Sequence, residues 1–231
     1  MKYFQLFTSS DPKVIGVKTG IGQAKFDRNS FDDPNLYDKV MNFFSMKNYH
    51  SSNDHTPAFE IHFSSIWLDK QGKLTDFMSV SPYLIACYFL ISHKVTEIFS
   101  KFQLAEHYLF PATVVDTKGN KYEYKVLYMP MLDYSIIDFH QSEFITENPV
   151  LDTIKEHTFE SEEEFVSSLK KNMFLKAKKL KLNEMFDKET DVMSIRGQGI
   201  YGSEELVNEL KKNDCTGIVY KSPPFSPLIE V

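Results

Sequence analysis

Gly197-Gln-Gly199-Ile-Tyr-Gly202 carries the G-x-G-x-x-G spacing of a dinucleotide-binding loop. In such a loop the glycines let backbone N–H groups approach a pyrophosphate at a helix N-terminus. The Ser203-Glu-Glu-Leu206 behind it opens a helix, so the local order suits an anion site. The longer-range order does not. Such a unit should begin a sheet, yet only 29 residues follow Gly202. The acidic residue expected about 20 positions on is replaced by Tyr220-Lys-Ser222. Ile200-Tyr201 reads as strand, so a plain bend is the stronger reading. A nucleotide-binding or enzymatic pocket at residues 197–202 is the alternative.

His50, Asp54, His55 and His62 lie close enough along the chain to share a metal. They lack the His-Glu-x-x-His helix spacing, and the loop between them imposes no geometry. They are read as loop histidines, with no metal and no cofactor expected. His93 falls in the first turn of a helix, where a positive charge meets the unfavourable end of the dipole, and is read as neutral and exposed. Cys87 lies in an apolar run and should be buried with a raised pKa; Cys215 enters a strand. Asp133, Asp138 and Glu143 flank Ile136, Ile137 and Phe139. With no neighbour to separate their proton affinities, they read as turn and cap residues and not as an acid–base pair. No Gly-x-Ser-x-Gly elbow or P-loop occurs, and no catalytic constellation emerges. One charged run is kept as a binding feature. Ser161 and Glu164 form a capping box, and Glu160, Glu162, Glu163 and Glu164 are expected to contact a basic protein partner.

The elements that position these residues follow from periodicity. Lys2 to Phe7 is a strand, broken by Asp11-Pro12, and the segment through Gly16, Gly20 and Gly22 reads as turns. Asp33-Pro34 starts a helix with Leu36, Tyr37, Val40, Met41, Phe43 and Phe44 on its apolar face, ending before Lys47-Asn48. His50 to Pro57 is loop, and Phe59, Ile61 and Phe63 alternate as a half-buried strand. Leu84 to Ile91 is a covered strand, and Ser92 caps a helix bearing Val95, Ile98, Phe99 and Phe102. His107 to Val115 is the next strand, Asp116 to Asn120 a hairpin turn, and Tyr122, Tyr124, Val126 and Tyr128 alternate on the return. The helix opened by Ser161 continues through Phe165, Leu169, Met173 and Ala177, acidic first and Lys-rich last, as the dipole favours. Near the C-terminus the order of residues 88–115 recurs as Ile200-Tyr201, Ser203, a helix with Leu206 and Leu210, and Thr216 to Tyr220. Val95 corresponds to Leu206 and Phe99 to Leu210. Pro223 to Pro227 should be extended. The class is α+β: a mixed β-sheet packed with amphipathic helices, with a repeated strand-helix-strand unit. Residues 1–80 are expected to form an N-terminal lobe packed on a core of residues 81–231.

Composition narrows the classes. The 231 residues carry 26 Lys+Arg against 32 Asp+Glu, a net charge of −6, and only Arg28 and Arg196 are arginines. An acidic chain with so few arginines argues against nucleic acid as the main partner. A hydrophobic fraction of 42% excludes disorder. The longest apolar run, Tyr83 to Ile91, is far short of the roughly 18 residues of a membrane span. Two cysteines make no disulfide framework, and Met1 to Phe7 lacks the features of a signal peptide. A cytoplasmic protein with no membrane contact is expected.

Three stretches carry a family resemblance. They are Cys87-Tyr-Phe-Leu-Ile-Ser92 through Tyr108-Leu-Phe-Pro111; Ile137-Asp138-Phe139 with Ser142 and Phe144; and Ile200-Tyr-Gly-Ser203-Glu-Glu-Leu206 through Thr216-Gly217-Ile218. Together, over about residues 81–222, they resemble a bacterial immunity-protein family of polymorphic toxin systems, first catalogued as a domain of unknown function. The resemblance implies a cytoplasmic protein that binds one cognate toxin domain and occludes its active site. It implies no catalytic or cofactor residues, and Asp138 and Ser142 are a structural signature. An acidic surface would suit a basic toxin by speeding encounter.

Overall fold

The computed structural model describes residues 1–18, 22–52, 54–148, 153–172, 174–224 and 226–231. Gly20 and Met173 lie outside them. The first third supplies β1 (Tyr3–Thr8), β2 (Ala24–Lys25), β3 (Phe63–Leu68), β4 (Phe77–Met78) and β5 (Val80–Ser81). β6 (Cys87–Ser92), β7 (Tyr108–Val115), β8 (Lys121–Tyr128), β9 (Ile137–Asn148) and β10 (Thr153–His157) follow. The last third gives β11 (Leu175–Leu182), β12 (Val192–Ile195), β13 (Gly199–Ser203), β14 (Ile218–Lys221) and β15 (Leu228–Glu230). The helices are α1 (Pro12–Ile15), α2 (Pro34–Phe43), α3 (Met46–Ser51), α4 (His93–Phe99), α5 (Glu162–Lys171) and α6 (Glu204–Lys212). The α+β class with mixed sheets is the one expected.

The largest sheet runs β4-β6-β8-β7-β3-β2-β5. Its two outer strands are separated in sequence only by Ser79, whose carbonyl accepts from Ala24 N–H at 3.2 Å. One segment, Phe77–Ser81, thus serves both ends, and the sheet closes into a ring. Closure removes the open edge that would otherwise invite another strand. The ring buries Phe63, Ile66, Leu90, Val114 and Val126, and Val40 of α2 and Phe44, just past its end, add to this core. The Phe44 ring meets Tyr128 edge-on at 4.9 Å. Each such side chain contributes about 1.5–3 kcal/mol of burial.

The second sheet, β12-β13-β1-β14, places the first strand between two of the last, with Gln5 opposite both Tyr201 and Lys221. The third, β10-β9-β11-β15, buries Phe139, Phe144, Leu180 and Leu182 against Phe165 of α5. Residues 1–80 thus interleave with later chain: β1 in the second sheet, β2 to β5 in the ring.

The repeat extends well beyond two capped helices. In β6–α4–β7 and β13–α6–β14 a single strand, β8 or β1, lies between the two strands that flank the helix. In each, the first strand also pairs antiparallel with a short strand that begins just after an aspartate, β4 after Asp76 and β12 after Asp191. Ser92 donates its hydroxyl to Asp76 at 2.9 Å, and Ser203 donates to Asp191 at 2.6 Å. Each serine oxygen also accepts from its own helix, from Val95 and Leu206 N–H at 3.4 and 3.2 Å. The second oxygen of each aspartate then reaches the other unit. Asp76 takes Thr216 N–H, in the turn after α6, at 2.8 Å. Asp191 takes Gln103 N–H, in the turn after α4, at 3.0 Å. The two units are therefore clasped crosswise around one core that contains Val95, Phe99, Leu206 and Leu210. Burial alone would raise the Asp76 carboxyl, but bonds from Thr216, Lys94 and Ser92 outweigh it and hold it below its ordinary value.

Several expected elements differ. Asp11-Pro12 starts a short helix instead of a run of turns, because Asp11 caps Lys13 N–H and Pro suits the first helical position. α2 does end before Lys47, at Phe43, but Ser45 caps a further helix, α3, that takes in Lys47-Asn48 and the first two residues, His50 and Ser51, of the expected loop. The alternation at Phe59, Ile61 and Phe63 is strand only from Phe63 onward; Phe59 packs on Phe43 at 5.9 Å. Leu84 to Ala86 is a turn, with Ala86 at φ 59°, and β6 begins at Cys87. The helix expected to reach Ala177 ends at Lys171. Asn172 is extended and its side chain takes Phe174 N–H, after which Leu175–Leu182 is strand β11.

Candidate functional site

The acidic run lies at the start of α5. Ser161 accepts from Glu164 N–H at 3.3 Å, while the Glu164 carboxylate reaches back to Glu160 N–H at 2.9 Å, one residue further than a standard capping box. Glu164 is thus committed to the cap. The Ser161 hydroxyl holds the Glu163 carboxyl below its ordinary value. The Glu160 side chain is 82% exposed and lies 3.1 Å from His140. Among the described residues none of the four carboxylates pairs with lysine or arginine. The helix N-terminus supplies a compensating partial positive charge, so the carboxylates can crowd together, with Glu160, Glu163 and Glu164 exposed and Glu162 half-buried.

The glycine motif spans a strand-to-strand hairpin. Gln198 N–H returns to Ile195 C=O at 2.9 Å, and residues 199–203 are β13. The first N–H groups of α6 are already engaged, by Lys2 C=O and the Ser203 hydroxyl. The phosphate-cradling geometry of a dinucleotide loop is therefore not formed here. Gly197 and Gln198 instead line a cleft of about 910 Å³ opposite the outer face of the third sheet. That face is an ion-pair lattice. Lys178 meets Glu156 at 3.0 Å and Glu143 at 3.1 Å, Lys179 meets Glu143 at 3.6 Å, and Lys176 pairs with Glu147. Lys178, with Lys179, draws the Glu143 carboxyl below its ordinary value. The cleft is mixed in sign, with no uncompensated charge to select a small ion.

The other carboxylates serve structure. Asp138 accepts from Gln141 N–H and Nε2 at 3.1 and 2.7 Å, and Asp133 meets Arg196 at 2.9 Å. Among the described residues no three His, Cys, Asp or Glu groups converge as metal ligands. His62 lines a groove beside α4, apart from His50 and His55, and Asp54 caps Thr56 N–H at 2.8 Å. His93 is 75% exposed and 3.7 Å from Glu97. Cys87 is buried, which raises its thiol well above the ordinary value; burial lifts Cys215 to about 11. Neither is a thiolate at neutral pH.

Sequence reasoning missed two features. Arg196, one of only two arginines, turns out to face His50 across 3.4 Å. β9, β10 and β11, which build the charged face, also went unread. In β11, Leu175 and Ala177 alternate with Lys176 and Lys178, and Leu180 and Leu182 with Lys179 and Lys181, a period of two on each side of an irregularity in register. No helix is long and apolar enough to cross a membrane. No protein-family model and no curated protein matches the chain.

Proposed function

We propose that this protein is an immunity protein: it binds a cognate toxin domain in the bacterial cytoplasm and blocks its active site without chemistry of its own. The observation that carries the reading is the acidic cluster around the start of α5, where Glu160, just before the helix, and Glu162 and Glu163, in its first turn, pair with no lysine or arginine among the described residues. Fixed, exposed carboxylates suit a basic partner and raise the association rate more than they slow dissociation. The family resemblance over residues 81–222 supports the same reading. Its first and last stretches are the two units clasped through Asp76 and Asp191, a rigid frame of the kind that tight inhibition needs.

The test is to clone the gene immediately upstream and co-express its C-terminal domain, which the reading requires to be toxic on its own. Cells should survive, and the two chains should copurify. Replacing Glu160, Glu162 and Glu163 by Gln should slow association about tenfold or more at low salt and change dissociation little. Cell death despite soluble protein, or an association rate indifferent to salt, would refute the reading.

A further inference from the structure

A smaller pocket, about 190 Å³, brings Tyr49, His50, Ser52 and His55 of the α3 region against Asp133 and Arg196. We propose that it binds the phosphate group of a phosphomonoester, with Arg196, His50 and His55 as the anion's partners. The ester's organic body lies in the adjoining cleft of about 500 Å³, which shares Tyr49, Ser52 and His55 and continues over Phe43 and Phe59.

The cationic groups are held in place. Arg196 donates from Nη1 to Asp133 at 2.9 Å and from Nη2 to His50 Nδ1 at 3.4 Å, and its guanidinium lies 5.6 Å from the Tyr134 ring. Because arginine only donates, His50 Nδ1 is the acceptor and the ring proton sits on Nε2. The His55 ring stacks on Tyr49 at 4.1 Å and 10°, whereas His50 meets Tyr49 edge-on at 89°. The two imidazoles are therefore nearly perpendicular. Donors in steeply inclined planes suit a tetrahedral anion better than a flat carboxylate. The stack is anchored from beneath: Tyr49 hydroxyl accepts from Met131 N–H at 2.8 Å, and Tyr128 hydroxyl donates to His55 C=O at 2.8 Å.

Electrostatics agree with the geometry. Burial, then Arg196, then His55, lower the proton affinity of His50. An arriving dianion reverses that sign and lets His50 protonate against it. Asp133 is the opposing group. Its side chain is 62% exposed and it engages only one guanidinium nitrogen, so it competes with the ligand and can turn away. Tyr49, raised mainly by burial, stays neutral, and Asp54 lines only the adjoining cleft.

The experiment follows the imidazole NMR signals of the full chain against pH, with and without inorganic phosphate. Saturating phosphate should raise the His50 pKa by about half a unit or more. Phenyl phosphate should bind roughly tenfold tighter than phosphate. Arg196→Gln should abolish both effects, and Asp133→Asn should tighten binding several-fold; Trp67 emission and the thermal midpoint check that each variant is folded. An unmoved His50, or equal shifts in Arg196→Gln, overturns the site. Acetate binding as well as phosphate overturns the tetrahedral preference, and equal affinity for phosphate and phenyl phosphate overturns the ester.

Discussion

Replacing Asp76 by Ala should unfold the clasp between the two repeated units. The carboxylate accepts from Ser92 Oγ at 2.9 Å, Thr216 N–H at 2.8 Å, Thr216 Oγ1 at 2.9 Å and Lys94 Nζ at 2.9 Å. The side chain is 14% exposed, so water replaces little of this when it is removed. Lys94 is 42% exposed, and its pair is worth under about 1 kcal/mol. The bonds from Ser92 and Thr216 to a mostly buried charge are worth about 1–1.5 kcal/mol each. The sum is about 3–5 kcal/mol, or roughly 6–20 °C in thermal midpoint for a chain of this size. Asp191→Ala, which loses two bonds, should cost about 2 kcal/mol, and Lys94→Ala under about 1. Urea unfolding followed by Trp67 emission and circular dichroism measures all three. The dependence on pH is a second readout. The folded protein holds the Asp76 carboxyl below its ordinary value, so its contribution is complete well above the unfolded value of about 3.9. It is lost as pH falls through the lower, folded value. The gap between wild type and Asp76→Ala should therefore close in acid. Loss of less than about 0.5 kcal/mol, or equal losses for Asp76→Ala and Lys94→Ala, would refute the clasp.

Three further outcomes are expected. Gly217 has φ +81°, and a Cβ there would stand 2.1 Å from Phe77 C=O, whereas Gly119, at φ +85°, has nothing within 4 Å. Gly217→Ala should therefore cost more than about 3 kcal/mol and Gly119→Ala about 1, by urea unfolding. The Tyr201 hydroxyl is buried with no hydrogen-bond partner among the described residues, so Tyr201→Phe should leave stability unchanged or raise it by about 1 kcal/mol; a loss would reveal a hidden partner. Native Cys215, with its thiol at about 11, should label slowly with a disulfide reagent at pH 7.5 and speed up toward pH 9. Rapid labelling at pH 7.5 would contradict its burial.

The sequence was most legible where a local signal and the tertiary demand coincide. Ser92, Ser161 and Ser203 each cap the helix expected of them, and the 116–120 turn joins the hairpin its residues specify. It was least legible where the deciding partner is remote. Leu175 to Leu182 reads as the tail of a Lys-rich helix until Asn172 ends that helix and β9 supplies a pairing edge. Asp76 and Asp191 look like ordinary loop acids, because the turns they hold lie 140 and 88 residues away. The candidate sites divide the same way. The start of α5 is a contiguous run and could be read directly, whereas the pocket around Arg196 joins side chains from three distant segments. No spacing rule announces such a meeting.

The position of β1 bears on how the molecule is made. A ribosome releases Tyr3 to Thr8 about 200 residues before their sheet neighbours, which arrive with residues 199–221. At elongation speeds of roughly 5–20 residues per second, about 10–40 s separate the two events. For that interval Tyr3 and Leu6, later among the best-hidden side chains, are exposed on a nascent tail. Residues 199–221 must therefore emerge before β1 can be stowed, and a chaperone has a defined window in which to shield it.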